Sequence, residues 1–285
     1  CNVILPNRSF DPVAVLQAIQ EEKVTDMQIV PTQLTVLLSH PDLSKYELKS
    51  LNRIYYAASP MPVELLRKGL EVFGPIFAQG YGQTESGPQI CTLPKEAHQV
   101  LGKPAEEQKV LASCGQPSLG VHVRVVDKAN RDVGPGVVGE IIAQSDSIMT
   151  EYWKKPKETA ETIVDGWLYT GDLAYYDEKG FIYMVDRKKD MIVSGGENVY
   201  SREVEDVLYK HPAVSEAAVI GVPDPRWVER VHAVIVLKAG LKVAEKEMIA
   251  FCKEHIASYK TPKSVAFASA DSCQSISFNP VSSAR

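Results

Sequence analysis

Short apolar runs alternate with amphipathic ones over the first 85 residues. Val3-Ile4-Leu5 reads as a strand. Asp11-Pro12 supplies a helix N-cap with proline at the first helical position, and Val15, Leu16 and Ile19 follow at helical spacing. Met27–Val30 predicts a strand and Pro31 opens the next helix. Arg53–Ala58 is a strand, Pro62–Phe73 a helix and Ile76–Ala78 a strand. Strand–helix alternation of this kind predicts a mainly parallel sheet covered by helices.

The pattern changes near Ser113. Val121–Asp127 and Val138–Ala143 read as strands around the turn Gly134-Pro135-Gly136. Gly166–Thr170, Leu173–Tyr176 and Phe181–Val185 follow, the last after the turn Asp177–Gly180. This spacing predicts hairpins. A third pattern begins near Asp186–Asp190. Ser201 is expected to cap a helix carrying Val204, Val207 and Leu208. Ala217–Val222 and Val231–Leu237 are strands, and Ala244–Ile256 is a helix with Met248, Ile249, Cys252 and Ile256 on one face. The residues from Ser264 hold seven serines and no lysine, and read as a weakly structured tail. The expected fold class is α/β. A partial large domain, with a parallel sheet and helices (1–112) and then a β-barrel-like subdomain (113–187), precedes a small C-terminal α+β domain (188–265) and a divergent tail (266–285).

Composition narrows the function. A net charge of −5 gives no basic footprint for nucleic acid or anionic lipid. No apolar run approaches the roughly 20 residues of a membrane-spanning helix. The five cysteines are far apart, with no CxxC, which argues against structural zinc and a disulfide framework and favours a reducing, cytoplasmic compartment. The chain starts at Cys1 with no signal-like segment, so it is expected to begin inside a longer protein.

Three segments could carry chemistry. In Gln79-Gly80-Tyr81-Gly82-Gln83-Thr84-Glu85 the glycines let backbone approach a planar ligand or make a tight turn. Tyr81 offers a flat face for a nucleobase, and Thr84 with Glu85 could hold a phosphate oxygen and its Mg²⁺. The same pattern also suits a polar loop at a strand end. In Tyr169-Thr170-Gly171-Asp172 the carboxylate could accept two hydrogen bonds from a ribose diol, or simply close a turn. Asp186-Arg187-Lys188-Lys189-Asp190 precedes Ser194-Gly195-Gly196-Glu197-Asn198 where the pattern changes, as at a domain junction. Arg187 has the planar fork suited to ribose or phosphate. His211 and His232 read as structural.

In joint order and spacing these segments resemble the adenylate-forming superfamily of acyl-CoA synthetases, aryl-CoA ligases, luciferases and peptide-synthetase adenylation domains. The resemblance is carried by Tyr81-Gly-Gln-Thr-Glu85, Gly139-Glu140, Tyr152-Trp153, Pro156-Lys-Glu-Thr159, Gly166-Trp-Leu-Tyr-Thr-Gly-Asp172 and Gly180-Phe-Ile-Tyr183. It continues through Asp186-Arg187-Lys-Lys-Asp190, Ser194-Gly-Gly-Glu-Asn-Val-Tyr200, Val219-Ile-Gly-Val-Pro-Asp224 and Tyr259-Lys-Thr-Pro-Lys263. The segment Ser194–Tyr200 is similar to the fatty-acyl and related acid–CoA ligases. Lys189 stands where peptide-synthetase domains usually carry aspartate.

The resemblance implies an acid–CoA ligase using a small-molecule carboxylic acid, ATP and coenzyme A, with Mg²⁺, through an acyl-adenylate that leaves AMP. By similarity, Thr84 contacts the α-phosphate and Glu85 binds Mg²⁺. Tyr81 stacks on adenine within Gln79-Gly80-Tyr81-Gly82, and Ala58 and Ser59 form the other side of the slot. Asp172 and Arg187 hold the ribose, Lys189 is the hinge, and Ser194, Gly195 and Gly196 border the pantetheine passage. The alternatives are a peptide-synthetase-type adenylation domain and a catalytically weak nucleotide- or CoA-binding member. The acid and the oligomeric state are left open.

Two departures stand out. The family's phosphate loop ending in lysine is absent and is expected upstream. Gly134-Pro-Gly-Val-Val-Gly139 has no lysine and reads as a hairpin turn. At the other end Asn279-Pro280-Val281 is followed by Ser282-Ser283 where the family has glycine and lysine. Ser201 replaces a common proline, and Val228 a usual glycine after Trp227.

Overall fold

The computed structural model describes residues 1–6, 9–87 and 89–268. Two compact units divide after Met184. The first holds two sheets. In the first sheet Asp26–Ile29, Arg53–Tyr56 and Phe77–Tyr81 run parallel, and Cys91–Leu93 and Gln116–Pro117 continue it antiparallel. Helices Pro12–Glu22, Pro31–Leu38 and Val63–Phe73 supply its packing partners. The first begins as the sequence predicts. The Asp11 carboxylate accepts the Val13 and Ala14 amides, and Lys23 ends the helix in left-handed geometry. Leu16 and Ile19 are buried from this helix, Leu34 and Leu37 from the second, and Leu66 and Leu70 from the third. Ile29, Ile54, Tyr56 and Phe77 form one core with Ile19, Leu34, Leu66 and Leu70.

The second sheet is antiparallel. His122–Val126, Gly139–Gln144, Trp167–Tyr176 and Ile182–Arg187 lie in the order last, third, second, first, with Ile163–Val164 paired to Trp167–Tyr176. Its core is Ile141, Ala143, Ala174 and Ile182, packed with Ile90, Cys91 and Cys114. In the second unit a further sheet joins Ile192–Ser194, Glu197–Val199, Val214–Asp224, Val228–Leu237 and Ser264–Ala268. Helices Ser201–Leu208 and Glu245–His255 complete it, burying Val204, Leu208, Met248 and Cys252 against Val231, Ala233 and Ile235. The chain therefore has the expected class, α/β with a β-rich subdomain and a small C-terminal α+β domain.

Four local expectations are corrected. Val3-Ile4-Leu5 is not a strand; Ile4 is 87% exposed, and three residues with no neighbouring strand among the described residues gain no ladder. Gly166–Thr170 and Leu173–Tyr176 are one ten-residue strand, interrupted by a bulge rather than a turn. Ser201 is the first helical residue and does not cap; Asp186 takes that role. The start of the serine-rich tail is ordered, since Ser264–Ala268 pairs in parallel with His232–Val236. His232 Nδ1 lies 2.7 Å from the Ser264 hydroxyl, which pins that register. The Asn279–Ser283 segment lies outside the described residues. Among the described residues no helix is long and apolar enough to cross a membrane.

Candidate nucleotide site

Arg53–Tyr56 and Phe77–Tyr81 are neighbouring parallel strands, so the loops at their carboxyl ends emerge side by side. In open α/β sheets this is the edge where ligands bind. The first loop carries Ala58 and Ser59, both exposed, with Ala58 in left-handed geometry at φ 73°. The second carries Gly82, Thr84 and Glu85. Gln79 and Gly80 lie within the strand, which runs three residues beyond the expected Ala78. Gly80 is needed for an internal reason: a Cβ there would overlap the Tyr55 hydroxyl.

Tyr81 ends the strand and donates its hydroxyl to Asp172 at 2.6 Å, across 91 residues of sequence. Asp172 is only 5% exposed. It is delivered by the bulge in Trp167–Tyr176. Between the pairs Glu140–Leu173 and Ile142–Tyr169, the residues Thr170, Gly171 and Asp172 face the single residue Ile141. Such a bulge re-aims a side chain. Three bonds fix it: Thr170 Oγ1 donates to the Ile141 carbonyl (2.8 Å), the Asp172 amide to Thr170 Oγ1 (3.1 Å) and the Gly171 amide to Glu140 (3.1 Å). Burial, then the Asp172 charge, pushes the Tyr81 phenol well above its usual pKa, so it stays a donor.

The Thr84–Ser86 turn is held from below. Ser86 is buried; its hydroxyl accepts the Gln83 amide and bonds back to the turn. Thr84 is exposed. Glu85 Oε1 accepts the Tyr152 hydroxyl at 2.7 Å, and the Tyr152 amide donates to Thr159. The Glu85 carbonyl also accepts the Met149 amide at 2.8 Å. Burial and then the bond to Glu85 raise the Tyr152 pKa. The structure thus brings Tyr81 and Asp172 into contact and sets Ala58, Ser59, Thr84 and Glu85 on loops along one edge.

The remaining candidates belong to the second unit. Arg187 ends its strand and Lys189 sits in a turn closed by the Asp190 amide on the Arg187 carbonyl (3.0 Å); both side chains are exposed. Ser194 is buried and begins a two-residue hairpin whose register pairs Ser194 with Glu197. Gly195 and Gly196 form its turn at φ 62° and 87°, the doubly positive geometry that favours glycine. Trp227 covers Gly195: its carbonyl accepts the Gly195 amide at 2.8 Å, and a Cβ on Gly195 would meet its ring.

The next residue, Val228, is 69% exposed at φ 70°. A β-branched residue there is strained by roughly 1–2 kcal/mol with no packing in return. Val228→Gly is therefore expected to stabilise the second unit by about 1 kcal/mol, read as a higher urea midpoint. An unchanged or lower midpoint would show that the strain is relieved elsewhere.

Residues 1–153 match the model described as AMP-binding enzyme, and residues 203–272 match AMP-binding enzyme C-terminal domain. The chain belongs to the AMP-binding enzyme family. Asp172, Arg187, Lys189 and Ser194–Gly196 fall between the two matched stretches. Among relatives, it is 43% identical to a medium/long-chain-fatty-acid–CoA ligase, FadD8, of Mycobacterium tuberculosis, over 90% of this chain and 45% of that protein. It is 40% identical to a feruloyl-CoA synthase of an Amycolatopsis species, over 93% and 52%. The chain spans about half the length of the curated relatives it matches. Solved structures agree. The amide bond synthetase McbA of Marinactinospora thermotolerans matches with a TM-score of 0.84 at 34% identity, over 92% of this chain and 51% of that one. The o-succinylbenzoate CoA synthetase of Bacillus subtilis, in complex with its acyl-adenylate OSB-AMP, matches with a TM-score of 0.80, also at 34%, over 92% and 51%.

Ser86 was missed as a positioning residue, while Glu140 and Tyr152 stood out only as motif residues with no role attached; each acts through a partner that only the fold brings near.

Proposed function

We propose that this chain carries the adenosine-nucleotide part of an ATP-dependent acid–CoA ligase. The observation that carries the reading is the 2.6 Å bond between Tyr81 and the buried Asp172. It joins a tyrosine, whose ring offers a flat face for a base, to a carboxylate able to accept a ribose diol. Family membership supports the same reading, as do relatives named as fatty-acid–CoA and feruloyl-CoA enzymes.

In the proposed reaction the substrate carboxylate oxygen attacks the α-phosphorus of ATP. Pyrophosphate leaves and an acyl-adenylate forms. The CoA thiol then attacks the acyl carbon, losing its proton, and AMP leaves. Asp172 accepts the ribose hydroxyls, with Arg187 as a second ribose contact. Thr84 donates its hydroxyl to an α-phosphate oxygen. Gln79, Gly80, Tyr81 and Gly82 border adenine on one side, Ala58 and Ser59 on the other. Glu85, a half-buried oxygen donor steadied by Tyr152, fits the single-carboxylate mode in which Mg²⁺ rides on substrate phosphates. Lys189 is the hinge between the two half-reactions, and Ser194, Gly195 and Gly196 border the approach of CoA.

Asp172→Asn tests the reading. It keeps the shape and removes the charge, and a hydrogen bond to a charged group is worth about 1.5–3 kcal/mol. AMP affinity by calorimetry should fall about 10- to 100-fold, and acid-dependent pyrophosphate release should fall with it. AMP binding at wild-type strength in Asp172→Asn would refute the assignment.

A further inference from the structure

The hairpin that carries Ser194, Gly195 and Gly196 is gripped by three consecutive residues of its own unit. The Trp227 carbonyl accepts the Gly195 amide at 2.8 Å, and Val228 is the register partner of Ser194. Glu229 makes the third contact with its side chain: Oε2 accepts the Val193 amide at 2.7 Å.

That last bond stands in for a missing main-chain one. In a two-residue hairpin the residues flanking the turn, here Ser194 and Glu197, exchange both of their hydrogen bonds. The next residue, Val193, therefore turns its amide away from its partner Asn198. A continued ladder would offer it a carbonyl from the strand Val228–Leu237. The ladder between those strands is the single pair Ser194–Val228, and Val228 sits at φ 70°. A backbone donor left unpaired is costly, and the Glu229 carboxylate takes the place of the absent acceptor with a charge-assisted bond. Room for it is kept by Gly221 in the strand Val214–Asp224, where a Cβ would come 3.0 Å from the Glu229 carboxyl group.

We propose that Glu229 is a positioning residue for the CoA step, fixing the strand Ile192–Ser194 so that the Ser194–Gly196 turn presents its backbone to the incoming thiol. The proposal rests on the acid–CoA ligase reading. Its physical basis is that the turn cannot hold itself. Two successive glycines have the widest backbone freedom and no side chains to pack. The strand that feeds them is three residues long, with an equally short partner in Glu197–Val199. Losing one of its few outside bonds is a large fraction of its hold. The strained Val228 lies between Trp227 and Glu229, and strain held at such a point is a pointer to function.

Glu229→Ala removes the acceptor, and Glu229→Gln restores a neutral one of the same shape. Gly221→Ala displaces the carboxylate without altering Glu229 or the hairpin. In the full-length protein the two half-reactions are assayed apart: pyrophosphate release from acid plus ATP, and thioester formation from preformed acyl-adenylate plus CoA. Glu229→Ala is expected to raise KM for CoA about tenfold, while the ratio of thioester kcat to the pyrophosphate rate stays within about twofold of wild type. Gly221→Ala should raise the same KM a few-fold, and Glu229→Gln should recover most of the loss. A merely structural contact would lower both half-reactions together and leave KM for CoA in place, and that result overturns the proposal.

A second readout needs no activity. The Val193 amide should exchange its hydrogen about tenfold faster in Glu229→Ala and at close to the wild-type rate in Glu229→Gln. An unchanged rate in folded Glu229→Ala overturns the grip. Faster exchange with KM for CoA within twofold of wild type overturns the positioning role. If Glu229→Ala fails to fold by circular dichroism, Gly221→Ala carries both readouts. If wild type forms no acyl-adenylate at all, the ligase reading fails, and the exchange rates alone still decide whether Glu229 holds the hairpin.

Discussion

Gly115→Ala should strongly destabilise the first unit. Gly115 sits at φ 94°, where an L-residue costs roughly 1–2 kcal/mol. A Cβ there would also overlap the backbone of Thr92 and Leu93. A side chain can swing away; the backbone of a central strand cannot. Cys91–Leu93 is paired on both sides, to Phe77–Tyr81 and to Gln116–Pro117. Gly115 is moreover where the two sheets of the unit meet, through the Cys114 amide on the Ile182 carbonyl and the Ile182 amide on the Gly115 carbonyl, both 2.8 Å. Adding about 1–3 kcal/mol of overpacking to the dihedral cost gives a loss of about 2–5 kcal/mol. A domain stable by about 5–15 kcal/mol loses much of its margin. Chemical denaturation of Gly115→Ala, with Gly134→Ala as the control in open space at ordinary φ, measures this. A loss below about 1 kcal/mol would mean that the strand yields more easily than a paired strand should. Because Cys91 is the register partner of Tyr81, the same variant should weaken nucleotide binding through Tyr81.

The elements were legible where a local signal matched the tertiary outcome. Asp11-Pro12 carries both cap and first residue of its helix, and the apolar spacing of Val204, Val207 and Leu208 was enough to place their helix. Val3-Ile4-Leu5 failed because strand propensity is realised only against a partner, which a sequence window does not contain. Ser201 failed for a related reason. Its residue type is a good cap, but a better acceptor, the buried Asp186, arrives from 15 residues earlier. The ordered start of the serine-rich segment was hidden because composition says nothing of an open strand edge at Val228–Leu237 waiting to be paired.

The candidate site shows the same division. Tyr81, Thr84, Glu85 and Asp172 stood out because glycines and polar groups of distinct chemistry cluster in short stretches. That Tyr81 and Asp172 share a bond was not legible, since it depends on a bulge opposite Ile141. The strained Val228 was half visible: the sequence marked an unusual residue after Trp227, and the structure supplies its left-handed φ.

Acid should destabilise the first unit through one histidine. His98 is fully buried, with Nε2 3.0 Å from the Tyr56 hydroxyl and Nδ1 3.0 Å from the Pro94 carbonyl. A carbonyl only accepts, so Nδ1 carries the proton and Nε2 accepts from Tyr56. Protonating Nε2 would set a second donor against the Tyr56 O–H and charge a ring that water does not reach. Burial accordingly lowers the His98 pKa from 6.5 to about 4. The folded pKa lies below the unfolded one, so the stabilisation is complete above about pH 6.5 and is lost as pH falls toward 4. A shift of that size corresponds to roughly 3 kcal/mol over the full window. His98→Phe removes the titration and strands the buried Tyr56 hydroxyl. At pH 7.5 it should cost about 2–4 kcal/mol, between the lost bond and the imperfect fit. At pH 4.5 the deficit should shrink by about 2 kcal/mol, because the wild type has lost what the variant never had. Tyr56→Phe in the same background should recover part of the loss at pH 7.5 by removing the orphaned donor. Urea denaturation of the wild type and both variants at the two pH values reads all three effects. A deficit of equal size at pH 7.5 and 4.5 would show that His98 does not titrate in this window, and would leave the acid sensitivity of the unit to its carboxylates.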